Sequence, residues 1–479
     1  MSTVARPATT AEPSGAEFFD YELLCDQRYG IVTSIVDRPL SDDVPLAMHA
    51  KLAHVTNSAL LGQWQGDRIA FGASYDDENL AHYAAIGEAI ERYCGNYIPT
   101  GLRKTSYQAL RAAGEAAIAP AEWILYAPEQ YAEEGFPFEP LSEDLAINWV
   151  QAQDLLTHEA VWVPASLVYI NYYTGQLRDE PHNNFVMYSG IAAGRGRADA
   201  ERSALEELIE RDATMIWWHS GSPAIGIDPK SLPELESWTH SRVPCPHLHY
   251  QVIQIPSIFS APVMGVLLHD QQDHIMTLGV ACRPDARAAV KKALIEAVQL
   301  RGFAQGLLDP QGSVWQAMNA GILDANVYKP YREDRRYAES YRKDFHDITD
   351  LGCQSQFYLD PATHQYAERI LKPAQYIGID QVNTPKLNAN TSSEEARQHY
   401  LTELKAKGMR ALSVDVTTSD VAVSGLSVVR VLVPGLYPNA PAGFPCLGGQ
   451  RLYTEPQQQG WLEQTLQYQD LVFEPLPHS

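Results

Sequence analysis

Three segments of the chain carry apolar residues at the spacing of an α-helix. The first, residues 79–97, has an apolar stripe along one side and predicts a helix with one buried face. The second covers residues 199–218, and the third follows Asp285, which is placed to cap its start. Ser74 or Asp76 is the expected cap of the first helix.

Shorter apolar runs rich in β-branched residues predict strands in much of the remaining chain. They cover residues 29–36, 69–74, 162–171, 248–253, 264–268, 412–416 and 427–433. The glycine-containing stretch 189–196 is expected to be a loop that leads into the second helix. Helices and strands are interspersed, which predicts a mixed α/β (α+β) fold.

After its start, the chain contains no low-complexity linker that would separate domains. We therefore expect an N-terminal segment, residues 1–60, and one large body over residues 61–479. The start is polar and rich in Ala, Thr and Pro, so about the first 17 residues are expected to be disordered.

Composition narrows the possible functions and compartments. A formal net charge of −23 argues against a nucleic-acid partner, because phosphate backbones favour Lys and Arg. The six cysteines are scattered and form no C-x-x-C pair, which suits a reducing cytosol. The start lacks the apolar core of a signal peptide, and no apolar run is long enough to span a bilayer. We expect a cytoplasmic protein without a membrane partner.

Charged residues follow the pattern E-x-x-E-R in two of the predicted helices. The first copy is Glu88, Glu91 and Arg92, and the second copy, 119 residues later, is Glu207, Glu210 and Arg211. Within each copy the three side chains share one helix face. A single copy is commonly an exposed face with a local ion pair. Two copies with the same spacing instead suggest duplicated helix–sheet units that contribute carboxylates for a divalent cation and arginines for phosphate.

Longer runs around these helices resemble the YcaO family, and in particular its cyclodehydratase branch. The matching runs are GEAIERYCG (87–95), SGIAAG followed by DAERSALEELIERDA (189–213), KKALIEAVQLR (291–301) and VVRVLVPGLYP (428–438). Their order and spacing extend the resemblance over roughly residues 60–479. It implies a YcaO-type fold that binds ATP and Mg²⁺.

The resemblance also implies roles for individual residues. Glu88, Glu91, Glu207 and Glu210 would ligate Mg²⁺ or its waters, and Arg92 and Arg211 would contact phosphate during catalysis. Further ATP contacts would come from Ser74, Asp199, Glu296, Gln299 and Arg301. Arg301 lies about 140° around an ideal helix from Glu296. The chain also has Ala84 and Ala192 where the family often has serine.

The implied reaction is ATP-dependent cyclodehydration of a ribosomally made precursor peptide, a step in antibiotic biosynthesis. A Cys, Ser or Thr side chain attacks the preceding amide, whose oxygen is phosphorylated and leaves, which gives a thiazoline or oxazoline. Azoline-forming members usually end in P-x-P-x-P, and here Pro475 and Pro477 would supply a catalytic tail with two of the three prolines. Thioamide or amidine formation, and a non-catalytic peptide- or partner-binding scaffold, therefore remain alternatives.

The expected partners follow from the same resemblance. Residues 1–60 are too short for the E1-like or leader-binding domain that often accompanies such enzymes. We therefore expect a separate partner of that kind, which delivers a precursor peptide by its leader. A flavin dehydrogenase acting downstream and a homodimer are further possibilities that the resemblance raises.

Overall fold

The computed structural model describes residues 19–60, 66–385, 387 and 391–478. The predicted disorder of about the first 17 residues concerns positions outside these ranges. Within them, none of the helices has the length and apolarity that crossing a membrane requires.

Strands and helices are interspersed along the described chain, which confirms the predicted mixed α/β class. The strands are β1 Val32–Asp37, β2 Met48–Val55, β3 Ile69–Tyr75, β4 Arg103–Thr105, β5 Ile147–Asp154, β6 Ala160–Pro164, β7 Ile191–Gly194, β8 Ile225–Ile227, β9 Leu248–Ile255, β10 Val263–Asp270, β11 Ile275–Cys282, β12 Gln375–Ile377, β13 Leu412–Asp415 and β14 Ser427–Leu432. The helices are α1 Glu78–Asn96, α2 Tyr107–Ala112, α3 Pro128–Tyr131, α4 Arg197–Ser220, α5 Glu234–Trp238, α6 Ala286–Leu308, α7 Ser313–Asn319, α8 Leu351–Phe357, α9 Glu368–Leu371, α10 Ser393–Ala406, α11 Ser419–Ala422 and α12 Arg451–Gln458.

The strands form three sheets. One has the order β1-β2-β3, a second has the order β11-β10-β9-β8-β12, and a third has the order β4-β5-β13-β14-β7 with β6 paired to β5. Nearly all neighbouring strands are antiparallel, and β8 with β12 is a parallel pair. β3, β7 and β11 each lie at one edge of their sheet.

Each of these edge strands is followed by one of the three long helices, which gives three strand–helix units: β3–α1, β7–α4 and β11–α6. α1 packs on β3 and also on β7, α4 packs on β7 and also on β11, and α6 packs on β11 and reaches β3. The three helices therefore join the three sheets in a closed cycle.

A glycine in each edge strand lets the helix approach the strand closely. A Cβ added at Gly72 of β3 would lie 2.1 Å from a backbone oxygen of α1, and one added at Gly279 of β11 would lie 1.9 Å from a backbone oxygen of α6. At Gly194 of β7 the nearest atom, a backbone nitrogen of α4, would be 2.3 Å away. Only glycine fits at such a distance.

Several predicted elements need correction. The predicted cap of the first helix is wrong, because Asp77, and neither Ser74 nor Asp76, accepts the N–H of Leu80 at 3.1 Å. The predicted loop 189–196 contains β7, which pairs with β14. The predicted strand 162–171 ends at Pro164, after which the chain turns into a 3₁₀ helix. The Asp285 cap of α6 is confirmed by its bond from Ala288, at 2.8 Å.

Candidate functional site

Glutamates of the three long helices are held by backbone N–H groups of the edge strands. In each strand–helix unit, one glutamate oxygen accepts from a residue in or just before its own strand: Phe71 donates to Glu88 at 3.0 Å, Gly190 to Glu207 at 2.9 Å and Val280 to Glu296 at 3.0 Å. The bond fixes the carboxylate's orientation and leaves the other oxygen for a further partner.

Two more glutamates reach across to the strand of the next unit. Ala193 of β7 donates to Glu91 at 2.7 Å, and Cys282 of β11 donates to Glu210 at 3.1 Å. α1 and α4 therefore each carry one glutamate bound to their own unit and one bound to the following unit. This arrangement places the four glutamates of the repeated E-x-x-E-R, together with Glu296, where the three units meet.

Burial makes this collection of carboxylates electrostatically costly without a cation. Burial raises the pKa of Glu91 to about 8, and the charges of Glu88 and Glu207 act in the same direction. Burial also raises the pKa of Glu210 to about 7, with Glu296 and Glu207 adding to the effect. The pKa of Glu88 is raised for the same main reason. A divalent cation among these groups would offset their mutual repulsion.

The two arginines of the motif lie beside the carboxylates and offer donors to an anion. The Nε of Arg211 is 3.2 Å from Glu210 and 4.0 Å from Glu207. Arg92 is 3.9 Å from Asp67, and its guanidinium lies 4.7 Å from the ring centre of Tyr188. One terminal nitrogen of Arg92 is buried and has no hydrogen-bond partner in the described structure. Such a donor is costly unless a ligand oxygen accepts from it.

The site suits Mg²⁺ that is bound together with phosphate. In the part of the chain that the structure describes, no three carboxylate, imidazole or thiolate side chains converge closely enough to surround a metal ion alone. Mg²⁺ commonly takes one or two carboxylates and completes its shell with waters and substrate phosphates. Carboxylates anchored by one oxygen, with arginines beside them, therefore fit a Mg²⁺–triphosphate better than an ion held by the protein alone.

Two other residues predicted to contact ATP, Arg301 and Asp199, are bound to side chains of the protein. Arg301 is buried and pairs with Asp270 at 2.7 Å and Asp43 at 2.6 Å, so the structure does not bring its guanidinium to the glutamates. Asp199, in the first turn of α4, accepts from Ser393 at 2.7 Å and pairs with Arg202 at 3.0 Å.

Two further predicted contacts lie on the site's own elements. Ser74 lies near the end of β3, where its hydroxyl donates to the carbonyl of Asp77. Gln299 lies on α6, one turn after Glu296, and is half-buried.

The C-terminal segment runs into the site. Pro475 and Pro477 are buried, and their carbonyls accept from the Tyr358 hydroxyl at 2.7 Å and from the Leu278 N–H at 2.6 Å. The next residue, His478, is 1% exposed, and its imidazole contacts Arg211. The two prolines thus bind through their backbone carbonyls. The side chain that contacts the E-x-x-E-R motif is that of His478.

Arg430 is a supporting residue that the sequence pattern did not single out. Its fully buried guanidinium donates to four backbone carbonyls at 2.6–3.0 Å, those of Val168, Met187, Tyr188 and Ser189. It thereby holds the segment that presents Tyr188 to Arg92 and the Gly190 N–H to Glu207. A lone arginine inside the apolar run 428–433 was the available signal, whereas nothing in the sequence distinguished His478.

Comparison with known proteins agrees with this geometry. The model of the YcaO family, described as a cyclodehydratase that binds ATP and Mg²⁺, matches residues 73–437. An uncharacterized protein of Methanothermobacter thermautotrophicus is 24% identical over 307 residues, which are 62% of this chain and 68% of that protein.

Several solved structures share the fold. A heterocyclase in complex with substrate and cofactor has a TM-score of 0.69 and 19% identity, and the match covers 95% of this chain but only 56% of the heterocyclase. The YcaO protein of Methanopyrus kandleri, bound with AMPPCP and Mg²⁺, has a TM-score of 0.55 and 18% identity, with 87% of this chain and 88% of that one covered. The chain belongs to the YcaO family of ATP- and Mg²⁺-binding cyclodehydratases.

Proposed function

We propose that this protein uses ATP and Mg²⁺ to cyclodehydrate Cys, Ser or Thr residues of a precursor peptide to thiazolines or oxazolines. The observation that carries the proposal is the set of five buried or half-buried glutamates, each held through one oxygen by a backbone N–H of an edge strand or of the residue just before it. They lie beside a buried arginine nitrogen that lacks an acceptor. Membership of a family described as an ATP- and Mg²⁺-binding cyclodehydratase supports it.

The chemistry explains why such a site needs phosphate. When a peptide thiol or hydroxyl attacks the preceding amide carbon, the amide oxygen must leave, and it is a poor leaving group. Transfer of the terminal phosphoryl group of ATP to that oxygen lets it depart as inorganic phosphate. The thiol or hydroxyl proton and the amide proton are released, so the peptide loses the elements of one water and ATP becomes ADP.

Within this proposal, the residues of the chain position and neutralise the reacting groups. Glu88, Glu91, Glu207 and Glu210 would hold Mg²⁺ or its waters through the oxygen that the strand N–H does not use. Bound Mg²⁺ would neutralise charge on the phosphates. The free nitrogen of Arg92 and the remaining donors of Arg211 would bind phosphate oxygens, since a guanidinium matches their geometry. Catalysis then rests mostly on orientation and electrostatic stabilisation.

Phosphate release that depends on both Mg²⁺ and precursor peptide tests the proposal. Glu91→Gln and Glu210→Gln should abolish it, because glutamine can still accept the strand N–H but cannot supply a charged ligand. Glu78→Gln is the matched control on α1, since Glu78 is exposed and pairs with Lys51 away from the site. Unchanged turnover in both site variants would sink the assignment of these glutamates.

The mass of the peptide product identifies the reaction. Loss of one water indicates an azoline or an amidine, and replacement of oxygen by sulfur indicates a thioamide. Absence of both phosphate release and any mass change, with a confirmed precursor, would favour the scaffold alternative.

We also propose that a separate protein with an E1-like or leader-binding domain delivers the peptide. The resemblance to YcaO cyclodehydratases supports this proposal, because an E1-like or leader-binding domain often accompanies such enzymes. We expect this chain alone to process a leader-bearing precursor poorly and the added partner to restore processing. Efficient processing by the chain alone would contradict the partner's role.

A further inference from the structure

His478 is held between β11 and α4 by two hydrogen bonds of opposite direction. Its Nδ1 lies 3.0 Å from the carbonyl oxygen of Leu278, and its Nε2 contacts a terminal nitrogen of Arg211. A carbonyl can only accept and a guanidinium can only donate. Nδ1 therefore carries the proton and Nε2 offers its lone pair, which describes a neutral imidazole with a defined tautomer.

The surroundings keep this imidazole neutral and in place. Burial lowers the pKa of His478 to about 4, and the charge of Arg211 acts in the same direction. The backbone on either side is also fixed, because Pro477 accepts the N–H of Leu278 and Gln354 donates to the carbonyl of His478. The ring has little freedom to turn away from Arg211.

The same strand edge orders the carboxylates. β11 lies at the edge of its sheet, and its alternate residues Leu278, Val280 and Cys282 direct their N–H groups away from β10. They bind the carbonyl of Pro477, the carboxylate of Glu296 and the carboxylate of Glu210, respectively. The C-terminal segment and two glutamates of the site therefore bind to the same row of N–H donors on β11.

From this geometry we propose that His478 is a positioning residue that holds the Arg211 guanidinium in the orientation that meets the phosphate. This inference rests on the proposed function, because it concerns how the arginine proposed to bind phosphate, Arg211, is held in place. The imidazole occupies one terminal nitrogen of Arg211 while Glu210 lies beside its Nε. The remaining donors are thereby directed toward the site, as bidentate phosphate binding requires.

Two substitutions separate the two bonds of the imidazole. His478→Asn retains a donor for Leu278 but has no group that reaches Arg211, whereas His478→Gln retains an acceptor at the position of Nε2. The probe is the affinity for AMPPCP in the presence of Mg²⁺, measured by calorimetry on the full chain. We expect His478→Asn to weaken binding about tenfold, as loss of a hydrogen bond to a charged group does. His478→Gln should stay within about threefold of the unmodified chain.

A double-mutant cycle with Arg211→Lys shows whether His478 acts through Arg211. If it does, His478→Asn should add less than about twofold in the Arg211→Lys background. Equal effects of His478→Asn in both backgrounds, or equal losses in the Asn and Gln variants, would overturn the inference while the proposed function stands. Failure of the unmodified chain to bind AMPPCP would overturn the proposed function itself.

Discussion

Replacing Glu91 by glutamine should stabilise the ligand-free protein and at the same time weaken its response to Mg²⁺ and ATP. The amide oxygen of glutamine can keep the bond from the Ala193 N–H, which the carboxylate accepts at 2.7 Å. The substitution removes a buried charge without leaving a cavity. The ligand-free fold therefore gains the free energy that the charge costs, while the site loses a proposed Mg²⁺ ligand.

The pKa of Glu91 sets the size of the expected change in the free energy of unfolding. Burial raises it from an ordinary value of 4.5 to about 8, and each pH unit of that difference corresponds to about 1.36 kcal/mol. On folding, this group must be protonated or its charge must be buried, which costs the ligand-free fold on the order of 5 kcal/mol near pH 8.5 and about 1 kcal/mol near pH 5. Because the pKa is raised in the folded state, this loss of stability grows as pH rises.

Urea unfolding followed by the fluorescence of the nine tryptophans measures the effect. The free energy of unfolding should rise in Glu91→Gln, several-fold more near pH 8.5 than near pH 5, and Mg²⁺ with AMPPCP should add less stability than in the unmodified chain. Glu206→Gln is a control that should instead lower the free energy of unfolding. Glu206 is 1% exposed and pairs with Arg202 at 2.8 Å and Arg283 at 3.3 Å, so its loss removes one of the two carboxylates that pair with Arg202 and the one that pairs with Arg283. Destabilisation of Glu91→Gln, or a gain that does not change with pH, would refute the reasoning.

Four further results are expected. Gly279→Ala should lose about 3 kcal/mol or more in urea unfolding, because its Cβ would lie 1.9 Å from a helix backbone oxygen, whereas Gly87→Ala, with nothing within 4 Å, should gain about 0.5–1 kcal/mol. Equal effects of the two substitutions on the free energy of unfolding would contradict the close contact between β11 and α6. Arg301→Gln should cost about 3–5 kcal/mol, since it leaves two carboxylates unpaired, yet change AMPPCP affinity less than about threefold; a large affinity loss would restore Arg301 to the nucleotide site. Mg²⁺ affinity should rise with pH, because the pKa values of Glu210 (about 7) and Glu91 (about 8) exceed the ordinary value and both groups must lose a proton to bind the metal. Calorimetry in two buffers of different ionisation enthalpy should show this proton release, and a flat profile from about pH 6 to 9 would argue against these ligands.

Periodicity located the helices and the acidic faces because both are local properties of the chain. The predicted helix 79–97 differs from α1 by one residue at each end, and the repeat of E-x-x-E-R identified glutamates that the fold does bring together. The sequence did not predict β7 and β11 as strands, although their residues Ala193 and Cys282 donate the N–H groups that bind Glu91 and Glu210. β7 has only four residues and contains glycine, and β11 is buried on both faces, so neither shows an alternating pattern.

Contacts between residues that are far apart in the sequence explain the remaining differences between the predicted site and the structure. The position of Arg301 depends on Asp43, which lies 258 residues earlier, and the role of His478 depends on Arg211, which lies 267 residues earlier. No local pattern marks such partners. The resemblance to the YcaO family points to the two prolines of the C-terminal segment, while the histidine beside them acquires its contact only from the folded chain.

The five backbone amides that hold the glutamates are also natural reporters of the site. Phe71, Gly190, Ala193, Val280 and Cys282 each donate their N–H to a carboxylate rather than to a neighbouring strand. Their rates of hydrogen–deuterium exchange should therefore follow how firmly those carboxylates are held. Four of these amides lie in edge strands of the three sheets, and Gly190 lies just before β7. A ligand that binds several of the glutamates together should therefore slow exchange at all three sheets at once.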